Sequence, residues 1–292
     1  MKVLIAGAHG QLGWELQRTV PPHVECIAPD EKDFDITDPA IVDETVAQWQ
    51  PDAIVNAAAY TAVDKAEEEE SLAYRINAEG AAHLARVGTD RKVRLIHVST
   101  DFIFDGKQST PYLPTDTPSP LNVYGASKLK GEEEVAAATE GQALILRTAW
   151  VYSARGNNFV KTMLRLMKER ERVSVVTDQL GTPTWANELA KVIWQMIDRT
   201  DLCGIYHWTD AGVASWYDFA VAIQEEALAC GLLERSIPVQ PIGTKDYPTP
   251  ARRPAFSVLD KSAAWAVLGY TGLHWRAALK QMLKDIKVED HA

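Results

Sequence analysis

Residues 2–13 of the chain, KVLIAGAHGQLG, join a short apolar run to three glycines that stand three residues apart. Residues 3–6 predict a buried first strand, and the helical pattern after the last glycine predicts a helix. Phosphate oxygens can approach the backbone N–H groups that glycine leaves uncovered, and the N-terminus of a helix favours negative charge. In this strand–turn–helix context, Gly7, Gly10 and Gly13 predict a dinucleotide-binding turn rather than a plain tight turn.

Short apolar runs alternate with longer helical patterns over the first 150 residues. The predicted strands cover residues 3–6, 24–28, 53–56, 93–99 and 143–148, and the predicted helices cover residues 11–19, 39–49, 63–87 and 124–137. This alternation is typical of βαβ units. It predicts an α/β fold with a Rossmann-type doubly wound parallel sheet.

The pattern changes after residue 150. Helices are predicted over residues 158–169, 185–197 and 215–230, and a strand over residues 205–208. Five prolines between residues 237 and 254 exclude a regular helix and predict an ordered loop. We expect a Rossmann domain over residues 1–150 and a smaller α+β, mainly substrate-binding region over residues 151–292, of which the part near residues 173–210 returns to the first domain.

Composition narrows the classes of protein to consider. The 292 residues carry 30 basic and 40 acidic side chains, a formal net charge of −10, and nucleic-acid binding needs clustered lysine and arginine instead. Three widely spaced cysteines predict neither a disulfide framework nor a zinc site. The sequence shows no signal-peptide pattern and no apolar run of membrane-spanning length. We therefore expect a cytoplasmic protein that binds neither nucleic acid nor membranes.

Tyr124 and Lys128 lie four residues apart in a predicted helix and so share one face. Of the nine tyrosines in the chain, Tyr124 alone has a lysine four residues later. A nearby ammonium group lowers the pKa of a phenol from about 10 and makes tyrosine a usable proton donor near neutral pH. Thr100, at the end of the fourth predicted strand, either holds a carbonyl oxygen together with Tyr124 or caps the strand end. The pattern predicts hydride transfer from a nicotinamide to a carbonyl group.

Two acidic residues also follow predicted strands. Asp30, 17 residues after Gly13, is placed to accept a hydrogen bond from an adenosine ribose, which favours NADH. Alternatively, Asp30 belongs to a charged loop, in which Lys32 could instead bind the 2′-phosphate of NADPH. Asp101 is either a substrate contact or a turn residue. The preference between the two cofactors stays open.

Six segments together resemble the dTDP-4-dehydrorhamnose reductases, the RmlD family of the extended short-chain dehydrogenases/reductases. They are residues 13–17 (GWELQ), 56–67 (NAAAYTAVDKAE), 122–125 (NVYG), 147–152 (RTAWVY), 156–165 (GNNFVKTMLR) and 247–254 (YPTPARRP). The resemblance covers nearly the whole chain. It implies that NADPH or NADH reduces the C4 keto group of dTDP-4-dehydro-β-L-rhamnose, giving dTDP-L-rhamnose for a cell-envelope polysaccharide.

The resemblance also implies roles for individual residues. The catalytic triad falls on Thr100, Tyr124 and Lys128. Cofactor contacts fall on Gly10, Gln11, Leu12, Asp30, Asp35, Ile36, Ala59, Tyr60, Thr61 and Val98. Substrate contacts fall on Thr100, Asp101 and Trp150, where the alternative for Trp150 is core packing. Arg253, with its neighbour Arg252, could offer charge to the diphosphate or could serve only the surface.

The sequence also leaves room for a metal site and for two alternative functions. Some family members form a homodimer with Mg²⁺ held by glutamates, and Glu15 and Glu188 are the candidate ligands here, although two distant carboxylates are a weak metal signal. A nucleotide-sugar epimerase or dehydratase is one alternative, but Phe102 stands where the dehydratases add an acid. A regulatory binding subunit is the other, and it would not need Tyr124 as a proton donor.

Overall fold

Strands and helices alternate along residues 1–289, the part of the chain that the computed structural model describes. The strands are β1 Lys2–Ala6, β2 Glu25–Ile27, β3 Ala53–Asn56, β4 Arg94–Thr100, β5 Leu144–Thr148, β6 Val151–Tyr152, β7 Val173–Val176, β8 Leu180–Gly181, β9 Thr184–Trp185, β10 Gly204–His207, β11 Ala214–Ser215 and β12 Val239–Ile242. The α-helices are α1 Gln11–Arg18, α2 Pro39–Trp49, α3 Val63–Ala66, α4 Glu70–Tyr74, α5 Ala81–Arg91, α6 Val123–Ala138, α7 Phe159–Glu169, α8 Ala186–Ile197, α9 Trp216–Cys230, α10 Ser262–Leu268 and α11 Trp275–Glu289. A π-helical turn covers Arg75–Gly80, and 3₁₀ turns cover Asp101–Ile103 and Thr244–Asp246.

Six strands form one sheet in the order β10-β5-β4-β3-β1-β2. All of its neighbouring strands run parallel. The direction of winding reverses at β1, because β2 lies on one side of it and β3 on the other. Such a switch point opens a crevice at the carboxyl ends of the strands, where α/β proteins bind ligands. The predicted Rossmann-type sheet is confirmed.

Helices cover both faces of this sheet. Side chains alternate between the two faces along each strand, so Leu4 packs in a cluster with Leu84 of α5, and Val3 packs in another with Leu189 of α8. With both faces buried, the strands need apolar residues at successive positions. That requirement explains why the first strand is a continuous apolar run.

A separate apolar cluster lies among α7, α9, α11 and β7, with Phe219 and Leu279 as fully buried members. Helix α8 packs instead on the parallel sheet, to which β10 also belongs. The division of the chain into domains stays a prediction. No helix within residues 1–289 combines the length and the apolar character needed to cross a lipid bilayer.

The helix predicted over residues 63–87 is broken in the structure at residues 67–69, and its second part contains the π-helical turn. Within this turn, Asn77 accepts a hydrogen bond from the amide of Tyr60 at 2.9 Å and donates to Ser127 Oγ at 2.9 Å. A π turn inserts one residue and so turns a side chain out of register with the rest of the helix. Here it lets Asn77 join the loop after β3 to helix α6.

The proline-rich segment also differs from its prediction. It contains no α-helix, as expected, but residues 239–242 form strand β12, paired in parallel with β7. The loop prediction was wrong there. A strand in a two-stranded sheet has a free edge, and Pro241 can face that edge without removing a ladder hydrogen bond.

A buried ion pair attaches helix α6 to strand β5. Arg147 donates from Nε to Glu132 Oε1 at 3.0 Å and from Nη2 to Oε2 at 2.7 Å, and both side chains are at most 4% exposed. Arg165 and Glu169 form a pair of the same chemistry at 3.0 Å, but with 60% and 54% of their side chains exposed.

We expect Glu132→Ala to lower the free energy of unfolding by about 3 to 5 kcal/mol, because it leaves a buried guanidinium unpaired. The matched variant Glu169→Ala breaks a solvated pair and should cost less than about 1 kcal/mol. Urea unfolding of both variants measures the difference. Equal losses would contradict the role given to burial.

Candidate active site

The glycine turn after β1 is closely packed against the loop after β3. Gly7 has φ +79°, and a Cβ there would lie 2.6 Å from the nitrogen of Ala58. A Cβ on Gly13 would lie 2.1 Å from the carbonyl oxygen of Gly7. Gly10 is the N-cap of α1 and provides no side-chain cap. The first amides of α1 therefore stand at the switch point of the sheet, in the arrangement that suits a phosphate.

Other predicted cofactor residues lie near the carboxyl ends of the strands. Ala59, Tyr60 and Thr61 follow β3, and Val98 lies in β4. Gln11 and Leu12 begin α1, and Gln11 Oε1 accepts a hydrogen bond from Asn158 at 2.9 Å. The pairing of Asn56 with both Ala6 and His97 aligns β1, β3 and β4, so the loops after them share one edge.

Asp30, Asp35 and Ile36 lie in the segment between β2 and α2. The carboxylate of Asp30 is half exposed and lies 4.0 Å from Nε2 of His9, which places it beside the glycine turn. Asp35 accepts from the amide of Thr37 at 2.9 Å. Ile36 is buried, and its side chain contacts Gly80 of the π turn. Of these three, the structure brings Asp30 directly to the turn.

Thr100 and Tyr124 lie together at the edge of the sheet. Thr100 ends β4, and the 3₁₀ turn that follows it packs so tightly on α6 that a Cβ on Gly125 would lie 2.2 Å from the carbonyl of Phe102. The hydroxyl of Thr100 donates to Asp101 Oδ1 at 3.1 Å. Thr100 also lies close enough to the Tyr124 hydroxyl to act on its pKa. Two hydroxyl groups therefore converge where a carbonyl oxygen could be held.

Lys128 lies one turn further along α6 and is buried. Its Nζ donates to the carbonyl of Val98 at 2.7 Å. Desolvation lowers the pKa of Lys128 to about 8. Desolvation also raises the pKa of Tyr124 to about 12, with the Asp101 carboxylate adding to the shift and the hydrogen bond with Thr100 opposing it. The expected lowering of the Tyr124 pKa by Lys128 is not found in this structure, where Lys128 is not among the groups that shift it.

Asp101 is fully buried beside the two hydroxyl groups. Desolvation raises the pKa of its carboxyl to about 6, whereas the nearby hydroxyl groups of Ser257 and Thr100 act to lower it. Its Oδ2 atom has no hydrogen-bond partner within residues 1–289. A buried acceptor without a partner is costly to maintain. Within the described part of the chain, Asp101 thus presents an unpaired carboxylate oxygen beside the two hydroxyl groups.

Trp150 follows β5 with φ +47°, in the left-handed region that bulky side chains rarely adopt. Its indole stacks on that of Trp216, with 3.6 Å between ring centroids and 7° between planes. Such a backbone conformation costs about 1 to 3 kcal/mol and persists where the surroundings hold it. Trp150 therefore has a defined orientation beside the end of β5.

Arg253 lies in the segment of residues 248–254, which we call the strap. Its guanidinium is paired with Asp64, at 3.0 Å from Oδ1 and 2.7 Å from Oδ2. Its neighbour Arg252 is exposed and has no ion-pair partner within residues 1–289, and its carbonyl accepts from Asn122 Nδ2 at 2.7 Å. The strap therefore joins helix α3 to the start of α6.

Sequence reasoning missed three residues of this region. Asn122 caps α6 by accepting from the amide of Gly125 at 2.8 Å, and the preference for Asn before a helix could have identified it. Asn77 and Trp216 had no such signal, because their roles depend on a π turn and on a stack between distant segments.

Comparison with known proteins places these features in a family. Residues 1–288 match the model described as the RmlD substrate binding domain. A dTDP-4-dehydrorhamnose reductase of Aggregatibacter actinomycetemcomitans is 43% identical over 288 residues, which cover 96% of this chain and 98% of that protein. This chain belongs to the RmlD family.

Solved structures agree with this assignment. A dTDP-4-dehydrorhamnose reductase of Clostridium acetobutylicum superposes with a TM-score of 0.92 at 39% identity, covering 98% of this chain and all of that one. The enzyme of Bacillus anthracis in complex with NADP has a TM-score of 0.89 at 37% identity, covering 97% and 99%. The RmlD fold is thus shared over essentially the full length.

The two candidate magnesium ligands do not fit a metal site. Glu15 is buried and accepts from Ser153 at 2.8 Å and from Asn187 at 2.8 Å. Glu188 pairs with Lys191 and accepts from the hydroxyl of Tyr270. No group of three or more acidic, histidine or cysteine side chains within residues 1–289 could hold a metal ion. Both carboxylates are already satisfied by protein donors.

The pKa of Lys128 leads to an expected pH dependence. If the ammonium form is required, kcat/KM should fall as the pH rises through about 8, since the folded protein holds this pKa below the usual value for lysine. Initial rates measured between pH 6 and 10 test this. A flat profile up to pH 10 would show that the charge on Lys128 is not used.

Proposed function

We propose that this RmlD-family chain reduces the C4 keto group of dTDP-4-dehydro-β-L-rhamnose to a hydroxyl, giving dTDP-L-rhamnose, with NADPH or NADH as reductant. The observation that carries the proposal is the convergence of Thr100 and Tyr124 at the edge of the sheet that also bears the glycine turn. A binding module would not require a proton donor at that place. The activity of the relatives agrees with it.

The cofactor supplies the hydride that adds to C4 of the sugar. Thr100 and Tyr124 hold the C4 oxygen, and Tyr124 gives its proton to that oxygen as the carbonyl becomes an alkoxide. A Tyr124 pKa of about 12 keeps the phenol protonated at neutral pH, so the donor is ready before the reaction. The ammonium of Lys128, below its pKa of about 8, stabilises the tyrosinate that remains.

For the cofactor, we propose that the diphosphate binds at the glycine turn and that Asp30 lies beside the adenosine ribose. The full set of proposed contacts is Gly7, Gly10, Gln11, Leu12, Gly13, Asp30, Asp35, Ile36, Ala59, Tyr60, Thr61, Val98, Tyr124 and Lys128. NADP is present in the complex of the Bacillus anthracis relative. The half-exposed Asp30 carboxylate would repel a 2′-phosphate, whereas His9 at 4.0 Å and Lys32 offer nearby nitrogen atoms. The reductase assay should therefore be carried out with NADPH and with NADH.

For the substrate, we propose contacts from Thr100, Asp101, Trp150 and the strap. The ion pair with Asp64 occupies the Arg253 guanidinium, so Arg253 serves the substrate by fixing the strap. Arg252 carries the exposed charge that a diphosphate needs. Its backbone carbonyl accepts a hydrogen bond from Asn122, two residues before Tyr124, so the strap is attached near the reacting group at this residue.

The domain division of the sequence analysis is part of the proposal, with a Rossmann domain over residues 1–150 and a mainly substrate-binding region over residues 151–292. Helix α8 and strand β10 would then be the returning segments.

We propose that the reaction takes place in the cytoplasm, where sugar nucleotides are made. We also propose that the protein is a homodimer, which light scattering tests.

Tyr124→Phe should lower kcat by about 100-fold or more, because general acid catalysis contributes factors of about 10² to 10⁴. NADPH affinity should stay within about threefold, since the ring is retained. The assay follows NADPH or NADH oxidation with dTDP-4-dehydrorhamnose generated in situ. Tyr206→Phe, on the edge strand β10, is the matched control and should keep full activity. Unchanged turnover by Tyr124→Phe would remove the assigned proton donor.

The two arginines of the strap should differ in their effects. Arg252→Ala should raise the KM for the sugar nucleotide about tenfold without loss of stability, because it removes an exposed charge. Arg253→Ala leaves Asp64 unpaired and should also lower the thermal unfolding midpoint. Kinetics and thermal unfolding of both variants separate these outcomes. An unchanged KM in Arg252→Ala would exclude that residue from diphosphate binding.

A further inference from the structure

Trp150 needs partners that hold it in its unfavourable backbone conformation. It lies two residues after Thr148, which pairs in register with Thr100 across β4 and β5. Its φ of +47° is rare for a bulky residue and is retained only where contacts determine it. The residues that contact the indole therefore control a side chain close to the catalytic edge of the sheet.

Two contacts of the indole are close. Trp216 stacks on it with 3.6 Å between centroids, and Phe159 packs against Trp216 at 4.7 Å. On Gly181, a Cβ would lie 2.6 Å from Cε2 and 2.7 Å from Nε1 of Trp150. Real Cβ contacts are not that short, so any side chain at this position would displace the indole.

The two contacting residues belong to one small structural unit. Gly181 of β8 pairs with Ala214 of β11, and Trp216 follows β11 directly. Ser215 caps α9 by accepting from the amide of Asp218 at 3.0 Å, and Asp218 Oδ2 accepts from the amide of Ser215 at 2.9 Å. The bare backbone at Gly181 and the ring of Trp216 are thereby fixed relative to each other.

We propose that Gly181 and Trp216 are positioning residues that hold the Trp150 indole for contact with the sugar nucleotide. The proposal rests on the proposed function, which gives Trp150 its substrate contact. The aromatic partners of Trp216 within residues 1–289 are Trp150, Phe159 and Phe219, none of which belongs to the catalytic triad. If the Trp150 indole is no longer kept in this orientation, substrate binding becomes weaker, whereas the proton and hydride transfer remain intact.

Steady-state kinetics of Trp216→Leu and Gly181→Ala test the proposal. Each should raise the KM for dTDP-4-dehydrorhamnose about 5- to 10-fold, with kcat within about twofold and an unchanged dissociation constant for NADPH. Trp216→Phe keeps a stacking ring and should restore most of the affinity. Trp49→Leu removes a tryptophan that is 39% exposed at the end of α2 and serves as the matched control with wild-type KM.

A double-mutant cycle decides whether Trp216 acts through Trp150. In the Trp150→Leu background, Trp216→Leu should add nothing further to KM, because residues that share one contact are not additive. The same factor in both backgrounds would overturn the proposal. It would also be overturned if Trp216→Leu lowered kcat, NADPH affinity and thermal stability together, which is the result of a purely structural role.

Failure of the proposed reductase function can be distinguished from failure of the positioning proposal. Wild-type protein that does not oxidise NADPH or NADH with this substrate would contradict the reductase activity itself.

Calorimetric titration of dTDP-L-rhamnose into wild-type protein and the same variants tests the positioning of Trp150 without catalysis. The positioning proposal is supported if Trp216→Leu and Gly181→Ala bind dTDP-L-rhamnose more weakly than the wild-type protein and Trp49→Leu binds it equally well. It is refuted if all three variants bind it as well as the wild-type protein.

Discussion

The close approach of helix α6 to the edge of the parallel sheet is the constraint on which the rest of the site depends. It requires glycine at position 125, where a Cβ would lie 2.2 Å from the carbonyl of Phe102. The same helix also packs closely on the π-helical turn, where a Cβ on Gly131 would lie 2.1 Å from the carbonyl of Asn77. The buried pair between Arg147 and Glu132 fixes the same helix to β5. Tyr124 and Lys128 are thus placed by the way in which the whole of α6 is packed, in addition to the hydrogen bond of Lys128 to Val98.

That close packing also sets the charges at the site. Desolvation disfavours the charged form of every group, so it raises the pKa of a phenol and lowers that of an ammonium. Tyr124 at about 12 and Lys128 at about 8 are both mostly protonated near neutral pH. This is the state that reduction of a ketone needs, since the proton leaves the enzyme with the product. Burial therefore prepares the donor, and the ammonium acts once negative charge develops on the phenol.

The parts of this structure that the sequence could predict are those that depend on local pattern. Alternating apolar runs located β1, β3 and β5, and the four-residue spacing paired Tyr124 with Lys128. Contacts between distant segments could not be predicted, such as the ion pair of Asp64 with Arg253, which are 189 residues apart. The π turn at Asn77 is equally hidden, because one residue inserted into a helix leaves no mark in the local sequence pattern. Burial, and with it the direction of the Tyr124 pKa shift, follows from such contacts.

The same distant contacts explain how an acidic chain can bind an anionic sugar nucleotide. The formal charge of −10 is a property of the whole surface, whereas binding depends on the field at the cleft. In the strap, Asp64 neutralises Arg253, whereas the side chain of Arg252 is exposed and its backbone carbonyl is bound to Asn122 at the start of α6. Ser257, three residues beyond the strap, lies close enough to Asp101 to lower the pKa of its carboxyl. One short segment thus links the charge that would face the diphosphate to the residues around the reacting carbonyl.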